Sequence, residues 1–180
     1  MNKNVIIRAD ASVQIGTGHV MRCLTLADEL RRRGAEIAFV CREFDGNLCS
    51  YIEKKGYSVR RLPVSDPPTQ NIESNLKHAA WLGAGWQTDA GQIEEIIKSL
   101  RAAPDWLVVD HYALDEKWEE YLRPYVKKIM VIDDIADRPH DCDLLLDQNF
   151  YENLENRYDG LLPPCCKKLL GPKYALLRSE

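Results

Sequence analysis

The sequence predicts an α/β fold, a Rossmann-like doubly wound sheet of mostly parallel strands. Three observations carry that expectation. Short apolar runs alternate with longer segments of helical spacing, in the order βαβαβ…αβαβ. Several runs, Trp106-Leu-Val-Val109 and Ile129-Met-Val-Ile132 among them, are apolar at every position and not at every second one. Strands buried on both faces read this way, so helices must cover both sides of the sheet. The chain has 180 residues, 45% of them hydrophobic, enough for one domain with a substantial core.

The elements follow in order. Val5–Asp10 is the first strand. Val20–Arg33 is the first helix, with Leu24, Leu26, Ala27 and Leu30 as its apolar positions and Gly34 as its stop. Arg31-Arg32-Arg33 lies in the last turn, where cations complement the negative end of the helix dipole, and reads as a solvated helix end. Glu36–Arg42 is a strand, Asn47–Lys55 a helix and Ser58–Leu62 a strand. Ser65-Asp-Pro-Pro-Thr-Gln70 reads as a loop, and Asn71–Trp86 is ambiguous. Its end, Trp81-Leu-Gly-Ala-Gly-Trp86, fits either a lid over a cleft or a corner packed on the sheet. Asp89–Arg101 is a helix, Trp106–Asp110 a strand, and Asp115–Arg123 a helix that Asp115 can cap through its carboxylate. Lys128–Asp133 and Cys142–Leu146 are the last strands, and Gly160-Leu-Leu-Pro-Pro164 and Gly171-Pro172 look like boundary punctuation.

Composition narrows the function. The 24 basic and 28 acidic residues give a net charge of −4, with no basic patch to hold nucleic acid. No apolar stretch approaches the roughly 20 residues of a membrane span, so no membrane partner is expected. The first apolar run, Val5-Ile6-Ile7, is too short for a signal peptide, and the expectation is a cytoplasmic protein. The cysteines at 23, 41, 49, 142, 165 and 166 form no C-x-x-C pair and no zinc spacing. Free thiols are expected, with neither metal nor cofactor.

One stretch concentrates the chemistry: Asp10-Ala-Ser-Val-Gln-Ile-Gly-Thr-Gly-His-Val-Met-Arg-Cys23. It leaves the first strand, turns on Gly16 and Gly18, and enters the first helix with His19 in its opening turn. Glycines allow a tight turn and close approach of a ligand. The unpaired N–H groups of a helix start favour an anion or a polar sugar group. The same positive end disfavours imidazolium, so His19 is expected neutral and able to accept a proton. The pattern also fits a turn that binds nothing and a histidine that only caps. A dinucleotide fingerprint fits poorly, because Met21 stands where a third small residue belongs. Ligands of open parallel sheets sit beyond the carboxyl ends of the strands. There the sequence places Asp10, Asp110-His111-Tyr112, Asp133-Asp134 and Asp147-Gln-Asn149. Asp110, His111 and Asp133 each read equally as site residues or as structural ones. His78 and His140 read as packing residues.

Beyond this stretch, five further motifs recur in order: Val109-Asp-His-Tyr112, Ile132-Asp-Asp134, Arg138-Pro-His-Asp-Cys-Asp143, Leu146-Asp-Gln-Asn149 and Gly171-Pro-Lys-Tyr-Ala-Leu-Leu-Arg178. With Arg8-Ala-Asp-Ala-Ser12 and Ile15-Gly-Thr-Gly-His-Val-Met-Arg-Cys23, the chain resembles the UDP-sugar hydrolases of the pseudaminic acid pathway. That family is similar to two-domain GT-B glycosyltransferases such as the lipid II-forming GlcNAc transferase. The resemblance implies that residues 1–180 are a single N-terminal domain of a GT-B-type fold. The C-terminal nucleotide-binding domain would be absent, to be supplied by that domain or by another chain. It implies hydrolysis of UDP-2,4-diacetamido-2,4,6-trideoxy-β-L-altropyranose by water, with inversion at C1 and release of UDP. His19 would be the base. Asp10 would orient His19 or the sugar, and Gly16, Thr17 and Gly18 would contact the sugar or the diphosphate. Arg22 would face the cleft or an acidic partner, and Asn149 would touch substrate. Two other readings stay open: the acceptor domain of a UDP-sugar glycosyltransferase, and a non-catalytic binding or interaction domain.

Overall fold

A computed structural model describes residues 3–64 and 76–177. The loop expected at Ser65–Gln70 and the start of the ambiguous stretch after it lie outside the described residues. Seven strands form one parallel sheet: β1 (Asn4–Ala9), β2 (Glu36–Arg42), β3 (Ser58–Leu62), β4 (Trp106–Asp110), β5 (Ile129–Ile132), β6 (Leu144–Asp147) and β7 (Lys167–Leu170), in the order β3-β2-β1-β4-β5-β6-β7. The expected doubly wound α/β sheet is therefore present. The sequence reading missed β7, whose Lys-Lys-Leu-Leu carries half the apolar signal of the other strands.

Among the described residues, four α-helices join the strands: α1 (Gly18–Arg32), α2 (Cys49–Lys54), α3 (Trp86–Lys98) and α4 (Glu116–Leu122). Side chains of successive strand residues point to opposite faces, and the core divides accordingly. Val5, Ile7, Ala9, Phe39, Val108 and Met130 pack with Val20, Cys23, Leu24 and Ala27 of α1 and Ile52 of α2. Ile6, Val40, Leu107, Val109 and Val131 pack on the other face with Ala90, Ile93 and Ile97 of α3 and Trp118 and Leu122 of α4. Asp115 caps α4 by accepting from Lys117 N, as its position predicts.

α3 begins three residues before the expected Asp89, because Gly85 is extended and Trp86 already opens the helix. Before it, Ala79–Leu82 form one 3-10 turn closed by Gly83 at φ +65. Leu82 and Ala84 are buried, so this segment is a packed corner. The winding reverses between β1 and β4, which opens a crevice at their carboxyl ends.

Candidate active site

At that crevice the β1–α1 loop meets the end of β4. The loop is tied to itself: Ser12 Oγ accepts from Gln14 N and Ile15 N, and Ser12 O accepts from Gly16 N. Gly16 has φ +78, so the left-handed backbone there accounts for its glycine. Gly18 is different. It is the first residue of α1, and a Cβ added there would meet open space. The tight turn thus needs Gly16 alone. Thr17 is the N-cap residue, exposed and without a side-chain cap bond, which leaves the helix start free to meet a ligand.

His19 follows and is turned inward. Its Nδ1 lies 2.6 Å from Asp110 Oδ1. A ring nitrogen facing a carboxylate oxygen at that distance carries the proton and donates it. Nε2 then holds the lone pair, and it makes no hydrogen bond among the described residues. Arg22, one turn along α1, grips the same carboxylate: Nε is 2.6 Å from Oδ2 and Nη2 is 2.6 Å from Oδ1. Burial by itself would raise the Asp110 carboxyl, but the His19 ring and the Arg22 guanidinium outweigh it and hold the group well below the usual carboxylate range. The third guanidinium nitrogen, Nη1, reaches Asp134 Oδ2 at 2.9 Å. Asp134 also accepts from Asn149 Nδ2 at 3.1 Å and from the Tyr112 hydroxyl. Tyr112 stands edge-on to His19, with ring centres 4.6 Å apart, and is backed by His78 and Trp81. Burial and the bond to Asp134 raise the Tyr112 hydroxyl, so it acts as a donor.

The structure corrects the role expected of Asp10. Asp10 is sealed, with Oδ1 2.6 Å from Arg42 N and 2.6 Å from Arg8 Nη1. It neither reaches His19 nor opens to the crevice. Asp110 is the carboxylate that meets His19, and strand register explains why. Asp110 pairs with Ala9, so its side chain shares the α1 face, whereas Asp10 lies one residue further and turns to the α3/α4 face. His111 faces Asp10: its Nε2 is 3.3 Å from Oδ2, off hydrogen-bond geometry, and its Nδ1 accepts from Ala113 N. Burial holds the His111 ring neutral. Asp133 is bound by Arg138 and Tyr158, and His140 by Glu119 at 2.7 Å. Among the described residues, no group of three or more His, Cys, Asp or Glu side chains could hold a metal ion. Of the residues singled out in the sequence, Gly16, Thr17, Gly18, His19 and Arg22 share the β1–α1 loop and the first turns of α1, and Asn149 meets Arg22 at Asp134. Asp110, Tyr112 and Asp134 join them; the sequence placed all three after apolar strands and in two of the recurring motifs, without showing which of them meet His19 and Arg22.

Comparisons with known proteins agree with this architecture. No family model matches the chain. It is 29% identical over 178 residues to the UDP-2,4-diacetamido-2,4,6-trideoxy-β-L-altropyranose hydrolase of Campylobacter jejuni, covering 98% of this chain and 52% of that protein. An uncharacterized glycosyltransferase of Methanosarcina acetivorans is 34% identical over 109 residues, 55% of this chain and 26% of its own. Among solved structures, Arabidopsis thaliana UGT89C1 complexed with quercetin superposes with a TM-score of 0.70 at 14% identity, over 100% of this chain and 52% of that one. The last likeness concerns the fold, which is that of one half of a GT-B glycosyltransferase. The chain thus spans about half the length of the hydrolase it matches.

Proposed function

We propose that this chain is the base-bearing half of a nucleotide-sugar hydrolase acting on a UDP-linked diacetamido-trideoxy hexose. One observation carries the reading: His19 is held through Nδ1 by a buried Asp110, and its free Nε2 stands beside the exposed start of α1. A fixed tautomer with an available lone pair is what proton abstraction from water requires. In the proposed step, water attacks the anomeric carbon and gives a proton to His19 Nε2. The C1–O bond to the diphosphate breaks, and its electron pair leaves with UDP. Asp110 stabilises the imidazolium that forms. The free N–H groups at the start of α1 bind sugar oxygens, with Gly16, Thr17 and Gly18 beside them and Asn149 as a further contact. The match along 98% of the chain to the Campylobacter hydrolase supports the substrate class. The uridine is assigned to a second domain, or to another chain supplying it, in keeping with the half-length match.

The test is UDP release from UDP-2,4-diacetamido-2,4,6-trideoxy-β-L-altropyranose in ¹⁸O-labelled water, with the C-terminal half of the Campylobacter relative supplied. Label in the sugar is the expected result. Label in the phosphate would mean attack at phosphorus and refute the mechanism. UDP release only when a sugar-alcohol acceptor is present would instead mark a glycosyltransferase, the reading favoured by the Methanosarcina relative.

A further inference from the structure

A histidine bonded through Nδ1 to a buried carboxylate is drawn toward imidazolium, and an imidazolium cannot take a proton from water. The site needs something to oppose that pull. Arg22 does so twice. Its Nε and Nη2 bind the two oxygens of Asp110 at 2.6 Å each, so the carboxylate is shared between ring and guanidinium. Its Nη2 also lies 3.2 Å from His19 Nδ1, where two N–H donors face one another and a fixed positive charge stands beside the ring. A guanidinium keeps both its charge and its planar fork in this setting. Its position is fixed in turn by Asp134, 2.9 Å from Nη1, which the Tyr112 hydroxyl and Asn149 Nδ2 hold from the other side.

We infer that Arg22 is a positioning residue that keeps His19 unprotonated between turnovers, and that Asp134 sets how strongly it does so. The inference rests on the reading of His19 as the base. With all three guanidinium nitrogens on carboxylates, Arg22 faces acidic partners, one of the two settings the sequence left open. The remaining described groups around the ring carry no competing charge. From β4 and the residues after it come Asp110, Tyr112 and His111; from α1, Arg22 and Cys23; His78 packs on Trp81 and Tyr112, behind the Tyr112 ring. Burial and Asp110 raise the Cys23 thiol, burial and Asp134 raise the Tyr112 hydroxyl, and burial lowers His111, so all three are neutral near pH 7. Behind His111, Asp10 is neutralised by Arg8.

The test follows the His19 ring by ¹⁵N-edited NMR through a pH titration of the full chain, with no substrate. Arg22→Met should move the titration midpoint upward by about one pH unit, roughly a tenfold gain in proton affinity. Arg22→Lys should retain most of the native midpoint. Asp134→Asn should move it downward, because Arg22 then leans wholly on Asp110. That shift should largely vanish when Asp134→Asn is combined with Arg22→Met, since the coupling runs through the guanidinium. An unmoved or lowered midpoint in Arg22→Met overturns the inference. If that variant does not fold, Asp134→Asn decides: a downward shift supports the inference, and none or an upward one overturns it. These outcomes are separate from the hydrolase reading. The predicted shifts in a chain that releases no UDP would refute catalysis alone, and hydrolysis with an unmoved titration would refute the role of Arg22 alone.

Discussion

Two clusters at the carboxyl end of this sheet are built from the same parts and do different work. On the α3/α4 face, Asp10 and Asp89 hold Arg8 and Arg42, with His111 beside Asp10 and Trp118 Nε1 donating to Asp89 at 3.0 Å. On the α1 face, Asp110 and Asp134 hold Arg22, with His19 beside Asp110. Each has an aspartate at or just beyond a strand end, an arginine fork and a histidine. In the first cluster both arginines and both aspartates have no exposed surface, and both His111 nitrogens face protein. In the second, His19 Nε2 makes no hydrogen bond among the described residues. Composition does not separate the two clusters; the unoccupied nitrogen does, and it is the feature on which the proposed chemistry rests.

The comparison breaks most readily at the histidines. His19→Ala should lower turnover roughly 10²–10⁴-fold while leaving the urea midpoint nearly unchanged. His111→Gln should lower the midpoint and leave the turnover of the folded protein intact. The opposite pattern would reverse the assignment of the two clusters.

The next largest effect belongs to the sealed cluster. Asp89 receives Arg8 at 2.8 Å, Arg42 at 2.7 Å and Trp118. Asp89→Asn leaves two buried guanidiniums short of a counter-charge and should cost roughly 3–5 kcal/mol in urea unfolding. A loss under about 1 kcal/mol would mean water reaches the cluster.

A smaller effect concerns acid. Burial alone would raise Asp10, Asp89, Asp110 and Asp133, but His19 and Arg22 at Asp110, and arginine neighbours at the other three, outweigh it and hold all four below the usual carboxylate range. The unfolded chain therefore binds more protons than the folded one once the pH falls below about 4. The stability these groups contribute is present above that pH and lost as the pH falls through their folded values. His111 adds an earlier loss. Burial keeps its ring neutral, so below about pH 6.5 the unfolded chain takes up a proton that the folded chain refuses, and stability falls with pH. Urea midpoints from pH 7.5 to 3 should show both phases, and His111→Gln should remove the first only.

The smallest effect separates two glycines. Gly16→Ala places a side chain at φ +78 and should cost about 1–2 kcal/mol. Gly18→Ala meets open space in a helix and should change stability by less than about 1 kcal/mol, in the stabilising direction. Lost substrate affinity in folded Gly18→Ala would place the ligand against that backbone. Unchanged affinity would move it off the loop.

The sequence by itself determined the sheet, because strands apolar at every position admit few burial schemes, and it placed six of its seven strands. It also located the β1–α1 turn and put His19 in the first turn of a helix, since glycine spacing and helical periodicity are local properties. β7 escaped because half of its residues are lysine. The partner of His19 was not legible. Asp10 and Asp110 end their strands in like fashion, and either fits an orienting carboxylate. Pairing register decided between them: Ala9 stands opposite Asp110, which turns Asp110 toward α1 and leaves Asp10 on the other face. The same holds for Arg22, whose three acidic contacts come from residues 88 and 112 positions away. Periodicity records which residues share a face of one element. Which faces meet is a property of the assembled sheet, and the chemistry proposed for this chain depends on that meeting.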